Sequence, residues 1–243
     1  MNLVLDIGNS RTKFGLFASN NLVYMEDLDS LDRDIITDIF ERFPNIKKGI
    51  ISTVSTSYTE IESFIRETNK SVALIEMNHR LETGIENKYE TANTLGMDRL
   101  AGIVGGRVLF ENENILVIDA GSCITYDYID KKGRYYGGAI SPGIAMKFRA
   151  LNNFTGNLPL VSNISKTSIL GKNTVKSISS GVINGSLFEV EGYIDYYRSQ
   201  VSGLKVIITG GDSEFLYRNI EKETYIEKNL VLFGLNIILE TNV

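Results

Sequence analysis

Leu3-Val4-Leu5-Asp6-Ile7-Gly8-Asn9-Ser10 and Ile115-Leu116-Val117-Ile118-Asp119-Ala120-Gly121-Ser122 follow one plan: an apolar strand, then Asp-x-Gly with a serine close behind, then a second strand. The first runs on through Lys13 to Phe17 and the second to Tyr128. In such a loop the glycine lets backbone N–H groups approach phosphate oxygens, and Asn9, Ser10 and Thr12 add donors. Asp6, at the strand end, suits a hydrated Mg²⁺, and Lys13 brings a positive charge for a triphosphate. Taken singly the loop is equally an ordinary hairpin turn. Its recurrence favours phosphate binding, and the chain reads as two copies of one domain facing a nucleotide.

Working outward, residues 2–7, 12–18 and 22–25 read as three strands of an antiparallel meander, separated by turn-forming Gly8-Asn9-Ser10 and Ser19-Asn20-Asn21. Leu31, Ile35, Ile36, Ile39, Phe40 and Phe43 recur at helical spacing before Pro44. Strand 49–53, helix 59–68 and strand 71–75 complete the first unit. From Ile115 the order recurs, with strands at 115–119, 124–130 and 134–139, helical segments, strand 205–209 and further helix. Leu95 to Val108 reads as a helix between the copies. The polar run Glu111-Asn112-Glu113-Asn114 places the boundary so that the domains are 1–114 and 115–243. Val175, Ile178, Val182, Ile183, Leu187, Val190, Ile194 and Tyr197 form a helical stripe explained by core packing. Gly181 and Gly185, one turn apart, allow close packing of a helix or of a partner subunit.

The bulk numbers restrict the chemistry. A chain of 243 residues with 43% hydrophobic composition supports a large core. No apolar run reaches the roughly 18 to 20 residues of a membrane span, and the first residues lack the basic region of a signal peptide, so cytoplasmic residence without membrane association is expected. One cysteine, Cys123, and one histidine, His79, exclude an internal disulfide and a Cys- or His-rich zinc site. Acid–base chemistry falls to carboxylates, lysines or tyrosines. A net charge of −5 disfavours nucleic acid as a partner.

A third glycine element, Lys205-Val206-Ile207-Ile208-Thr209-Gly210-Gly211-Asp212, is a strand ending in paired glycines that give flat access for an adenine or ribose. By itself it is as well explained by a strand-to-helix turn. Two phosphate-loop hairpins and this loop, in this order, resemble the acetate and sugar kinase, heat-shock protein 70 and actin superfamily. That resemblance implies an α/β chain of two ribonuclease H-like, actin-like ATPase domains in tandem, each a mixed five-stranded sheet with helices.

Within the superfamily the chain resembles the type III pantothenate kinases over essentially its full length. Asp6-Ile7-Gly8-Asn9-Ser10-Arg11-Thr12-Lys13 is similar to that family's first phosphate motif. Thr94-Leu95-Gly96-Met97-Asp98-Arg99-Leu100-Ala101 is similar to its Gly-x-Asp-Arg substrate motif, the most family-specific piece. Asp119 to Thr125 resembles the second phosphate motif, Gly137 to Ile144 the glycine-rich stretch after it, and Asn173-Thr174 with Ser180-Gly181 a later substrate-side segment. The resemblance implies ATP binding by Asp6, Ile7, Gly8, Asn9, Ser10, Arg11, Thr12, Lys13 and Ser122. It implies pantothenate contacts from Tyr89, Gly96, Met97, Asp98, Arg99 and Thr174. Asp119 corresponds to a ligand of a monovalent cation, K⁺ or NH₄⁺, which a carboxylate beside backbone carbonyls suits physically. A homodimer is also implied.

By the same resemblance Asp98 is the general base. Phosphorylating an alcohol needs a carboxylate to accept the hydroxyl proton, and no histidine sits in a suitable motif. Without the resemblance, Asp98-Arg99 is better explained as a helix-surface ion pair or cap. The expected reaction is ATP-dependent phosphorylation of pantothenate to 4′-phosphopantothenate, the first step of coenzyme A biosynthesis. Its rivals are a superfamily kinase for another small alcohol or sugar and a nucleotide-binding accessory factor for transcription.

Overall fold

The computed structural model describes residues 1–8, 11–53 and 58–243. Its first strand, β1 (Asn2–Ile7), is almost wholly buried, as its unbroken Leu3-Val4-Leu5 run requires of a strand covered on both faces. β2 (Thr12–Ala18) and β3 (Asn21–Leu28) continue antiparallel, and β3 alternates between half-buried and exposed positions, the signature of a sheet edge with one wet face. Then come α1 (Arg33–Arg42), β4 (Lys48–Thr53), α2 (Tyr58–Thr68) and β5 (Ala73–Glu76). β4 and β5 add in parallel, giving the order β3-β2-β1-β4-β5. Asp32 starts α1 by accepting the Ile35 N–H at 2.9 Å. Ile36, Ile39 and Phe40 of α1 and Ile61 and Ile65 of α2 pack on Leu3, Leu5, Phe14 and Ile51. A two-residue strand, β6 (Glu86–Asn87), and a 3₁₀ turn at Ala92–Thr94 lead into α3 (Met97–Leu109).

The second unit repeats this topology. β7 (Ile115–Ala120), β8 (Cys123–Ile129) and β9 (Arg134–Pro142) form the meander, followed by α4 (Ile144–Asn153) and the 27-residue α5 (Thr174–Gln200). β10 (Lys205–Thr209), α6 (Ser213–Asn219) and β11 (Tyr225–Ile226) close it. Its strands run β9-β8-β7-β10-β11, the counterpart of the first order strand for strand. The α5 stripe expected from sequence is buried at Ile178, Val182, Ile183, Leu187, Val190 and Ile194, against Leu116, Ile118, Ile124 and Tyr126.

The compact units are Met1–Leu109 with Leu230–Val243, and Phe110–Asn229. The boundary expected within 111–114 thus lies at Leu109/Phe110. The last helix, α7 (Leu230–Asn242), expected with residues 115–243, packs in the first unit along α3. Backbone contact explains this: a Cβ on Gly234 would overlap the Ala101 carbonyl, and one on Gly105 the Leu230 carbonyl. Polar bonds secure α7 to β1 as well. Buried Asn2 donates to Asn236 at 2.9 Å and to Glu240 at 2.5 Å, and Asn236 donates to the Ser19 carbonyl at 3.0 Å. Among the described residues no helix is long and apolar enough to cross a membrane.

Candidate active site

In the first unit the β1–β2 register sets Asp6 directly opposite Lys13 and Ile7 opposite Thr12. Asp6 and Lys13 are half-buried, while Ile7 and Thr12 are buried, so the charged pair lies at the strand ends where a ligand can reach it. The turn is closed by the Gly8 N–H donating to the Arg11 carbonyl at 2.9 Å. Asn9 and Ser10, expected to bind phosphate, lie outside the described residues. The Arg11 guanidinium donates to Asp27 at 2.8 Å and Asp29 at 2.5 Å, an exposed pairing that holds its side chain along β3.

The Gly96–Arg99 segment opens α3. The Asp98 carboxylate folds back to accept the Arg99 N–H at 2.8 Å, and a Cβ on Gly96 would stand 2.5 Å from the same oxygen. Glycine is therefore needed at 96 for the carboxylate to take this position. Arg99 is 8% exposed, and its guanidinium lies 5.6 Å from the centre of the Tyr89 ring. Such cation–π contact restrains both side chains. Met97 is half-buried beside them. The Tyr89–Gly96 connection is a defined turn, with the Thr94 N–H donating to Thr91 at 2.9 Å and their hydroxyls 2.7 Å apart. Tyr89 and Gly96 are thus brought together with Met97, Asp98 and Arg99 at the start of α3, itself locked by α7.

In the second unit Asp119 is the last residue but one of β7, with Thr209 of β10 on one side and Thr125 of β8 on the other. The Gly121 N–H donates to the Cys123 carbonyl at 2.8 Å, and Ser122 is exposed at the turn. The Gly143 N–H donates to the Ser122 carbonyl at 3.1 Å, which seats the start of α4 on the loop. Gly210 has φ +91°, and a Cβ there would overlap a carboxylate oxygen of Asp119 and meet the Ala120 carbonyl oxygen. Both oxygens thus close against Gly210, while across the strand pair the buried Thr125 hydroxyl has no hydrogen-bond partner among the described residues. The Asp119 carboxylate and, across the strand pair, the Thr125 hydroxyl are hard oxygen donors, a type that suits a monovalent cation. Among the described residues no three His, Cys, Asp or Glu side chains gather as a metal cage. Thr174 is the exposed first residue of α5, whose cap, Asn173, accepts the Lys176 N–H at 2.9 Å.

Three side chains have a placement that the motif reading did not assign. Thr125, at the end of the second phosphate motif, is set opposite Asp119 by the hairpin register. Asp212, after the paired glycines, is held above the usual carboxylate range by burial, and its N–H donates to the Ala120 carbonyl at 2.9 Å. Glu189 of α5 accepts from Lys147 of α4 and Tyr126 of β8, both at 2.7 Å, and from Ser141 of β9. Burial alone would raise the Glu189 carboxyl; these three donors outweigh it and hold it below its ordinary value.

Matched sheets of one topology, each opening on an Asp-x-Gly hairpin, define the class: an actin-like fold of the kind that carries sugar kinases. A glucokinase structure from an Antarctic psychrotroph shares it, with TM-score 0.50 and 13% identity, covering 98% of each chain. A solved structure from Campylobacter jejuni, described as a Baf family transcriptional activator, has TM-score 0.64 and 25% identity, covering 98% of this chain and 97% of that one. The sequence pattern described as type III pantothenate kinase matches residues 2–196. A type III pantothenate kinase of Phocaeicola vulgatus is 40% identical over 242 residues, covering 100% of this chain and 99% of its own length. The chain belongs to the type III pantothenate kinase family.

Proposed function

We propose that the chain transfers the γ-phosphoryl group of ATP to the primary hydroxyl of pantothenate, giving 4′-phosphopantothenate and ADP, the first step of coenzyme A biosynthesis. The observation that carries this reading is the family match, whose residues 2–196 include both hairpin loops and the Gly96–Arg99 segment. In the reaction Asp98 takes the hydroxyl proton while the alcohol oxygen bonds to the γ-phosphorus and the bond to the β,γ-bridging oxygen breaks. Arg99, pinned against Tyr89, orients the acceptor. Lys13 and the Ser122 hydroxyl stabilise charge on the transferring group. Asp6 is the carboxylate for Mg²⁺, which when bound screens the triphosphate charge. Asp119, with Thr125 across the strand pair, supplies oxygen ligands for K⁺ or NH₄⁺.

The working unit is a homodimer built on the outer face of α5. Gly181, Gly185, Phe188, Gly192 and Tyr196 are all exposed and follow helical spacing along one face. A Cβ on any of the three glycines would meet nothing in its own chain, so internal packing does not require them. Phe188, Gly192 and Tyr196, with Glu189 and Tyr193, line a groove of about 450 Å³ that suits the helix of a second copy.

The decisive variant is Asp98→Asn. ATP affinity by calorimetry should hold while turnover falls about 10²- to 10⁴-fold, the contribution expected of a general base. Near-normal turnover would refute the assignment.

A further inference from the structure

The chain has 30 acidic residues, yet none between Lys131 and Phe188, a stretch that carries eight of its 25 lysines and arginines. Two of the eight are matched to acids that flank the stretch: Arg134 pairs with Asp130 and Lys147 with Glu189. Arg149, Lys166, Lys172 and Lys176 are exposed and form no ion pair among the described residues.

Arg149, Lys166 and Lys172 lie on the chain that joins two parts of the candidate site, and Lys176 follows two residues beyond it. At one end Gly143 is bonded to Ser122 of the second loop; at the other Thr174 opens α5. The connecting loop is fixed to α5. Ser180 donates to the Ile169 carbonyl at 2.5 Å, Ser177 to Gly171 at 3.4 Å and Asn184 to Ser168 at 3.4 Å. Lys166 and Lys172 are therefore carried next to the first turns of α5, where Lys176 also sits. Surface cations that only solubilise a fold are normally interspersed with acids, which this stretch lacks.

We infer that the basic surface of residues 144–176 is an electrostatic collector for anionic substrates, acting most strongly on the phosphorylated nucleotide and less on the singly charged carboxylate acceptor. Like charges held on a rigid surface raise the local concentration of counter-ions and their capture rate by about 10- to 1,000-fold, an effect that salt removes. The naming of the acceptor rests on the pantothenate reading; the effect on ATP does not.

The test compares wild type with Arg149→Glu/Lys166→Glu/Lys172→Glu and with a variant of equal charge change elsewhere, Lys47→Glu/Lys70→Glu/Arg80→Glu. At low ionic strength kcat/KM for ATP should fall about tenfold in the first variant, with kcat unchanged, and the loss should shrink towards nothing near 1 M salt. kcat/KM for pantothenate should fall less, and the second variant should stay close to wild type. ATP affinity by calorimetry without pantothenate should show the same salt-dependent loss, so the collector stands or falls even if pantothenate proves not to be the acceptor. No loss at low salt, an equal loss in both variants, or a loss that persists at 1 M would overturn the inference.

Discussion

The two hairpin loops share a backbone plan and differ in what stands across the strand pair. Opposite Asp6 is Lys13; opposite Asp119 is Thr125, a neutral side chain whose hydroxyl is buried and, among the described residues, unpartnered. The first loop carries its own ammonium to meet phosphate charge. The second has threonine in the corresponding position, and in the proposed reaction a cation from solution supplies that charge. The two hairpins repeat one backbone plan, and in the proposed reaction the difference at one cross-strand position separates a loop with a built-in cation from a loop that takes one from solution.

The largest expected effect comes from removing the built-in cation. Lys13→Met should lower turnover about 10²- to 10³-fold, as loss of a charge-stabilising group in phosphoryl transfer does, measured as steady-state ADP release. Asp119→Asn should cost about 10- to 100-fold and abolish any difference between potassium and sodium buffer; a variant that keeps the potassium preference would break the contrast between the loops. Gly210→Ala tests the space rather than the charge. With φ +91° and a Cβ pressed on Asp119, it should destabilise the fold by about 2 to 4 kcal/mol, read from the urea midpoint.

A subtler effect concerns how the second loop is buttressed. Glu189 holds Lys147 of α4, and the start of α4 is bonded to Ser122. Because the Glu189 carboxyl is held below its unfolded value, its contribution is present above the unfolded pKa and is lost as pH falls through the folded one. Urea midpoints of wild type and Glu189→Gln should therefore converge on acidification below about pH 4.3, the ordinary glutamate value. The smallest effect sharpens the comparison most: Thr125→Lys should bring a cation to the second loop and weaken potassium activation a few-fold.

Much of this was legible in the sequence because the signals are local. The apolar runs of β1 and β7, the glycine turns after them and the α5 stripe each encode their structure within a few residues. The Gly96–Arg99 motif was recognisable by residue type and order alone. The placement of α7 was not legible, because Gly105 and Gly234 are separated by the whole second unit and gain meaning only when their helices touch. Glu189 was hidden for the same reason, since its partners come from three other elements. Arg11 reads as a phosphate ligand in its motif, and only the fold reveals Asp27 and Asp29 beside it.

The most direct test is to incubate the purified protein with ATP and Mg²⁺, with and without pantothenate, in potassium and in sodium buffer, following ADP release and the phosphorylated product by ³¹P NMR. The expected result is a new phosphomonoester signal and ADP release that both require pantothenate and run faster in potassium. ADP release indifferent to pantothenate in both buffers would contradict the proposed reaction and, with it, the roles given to the two loops.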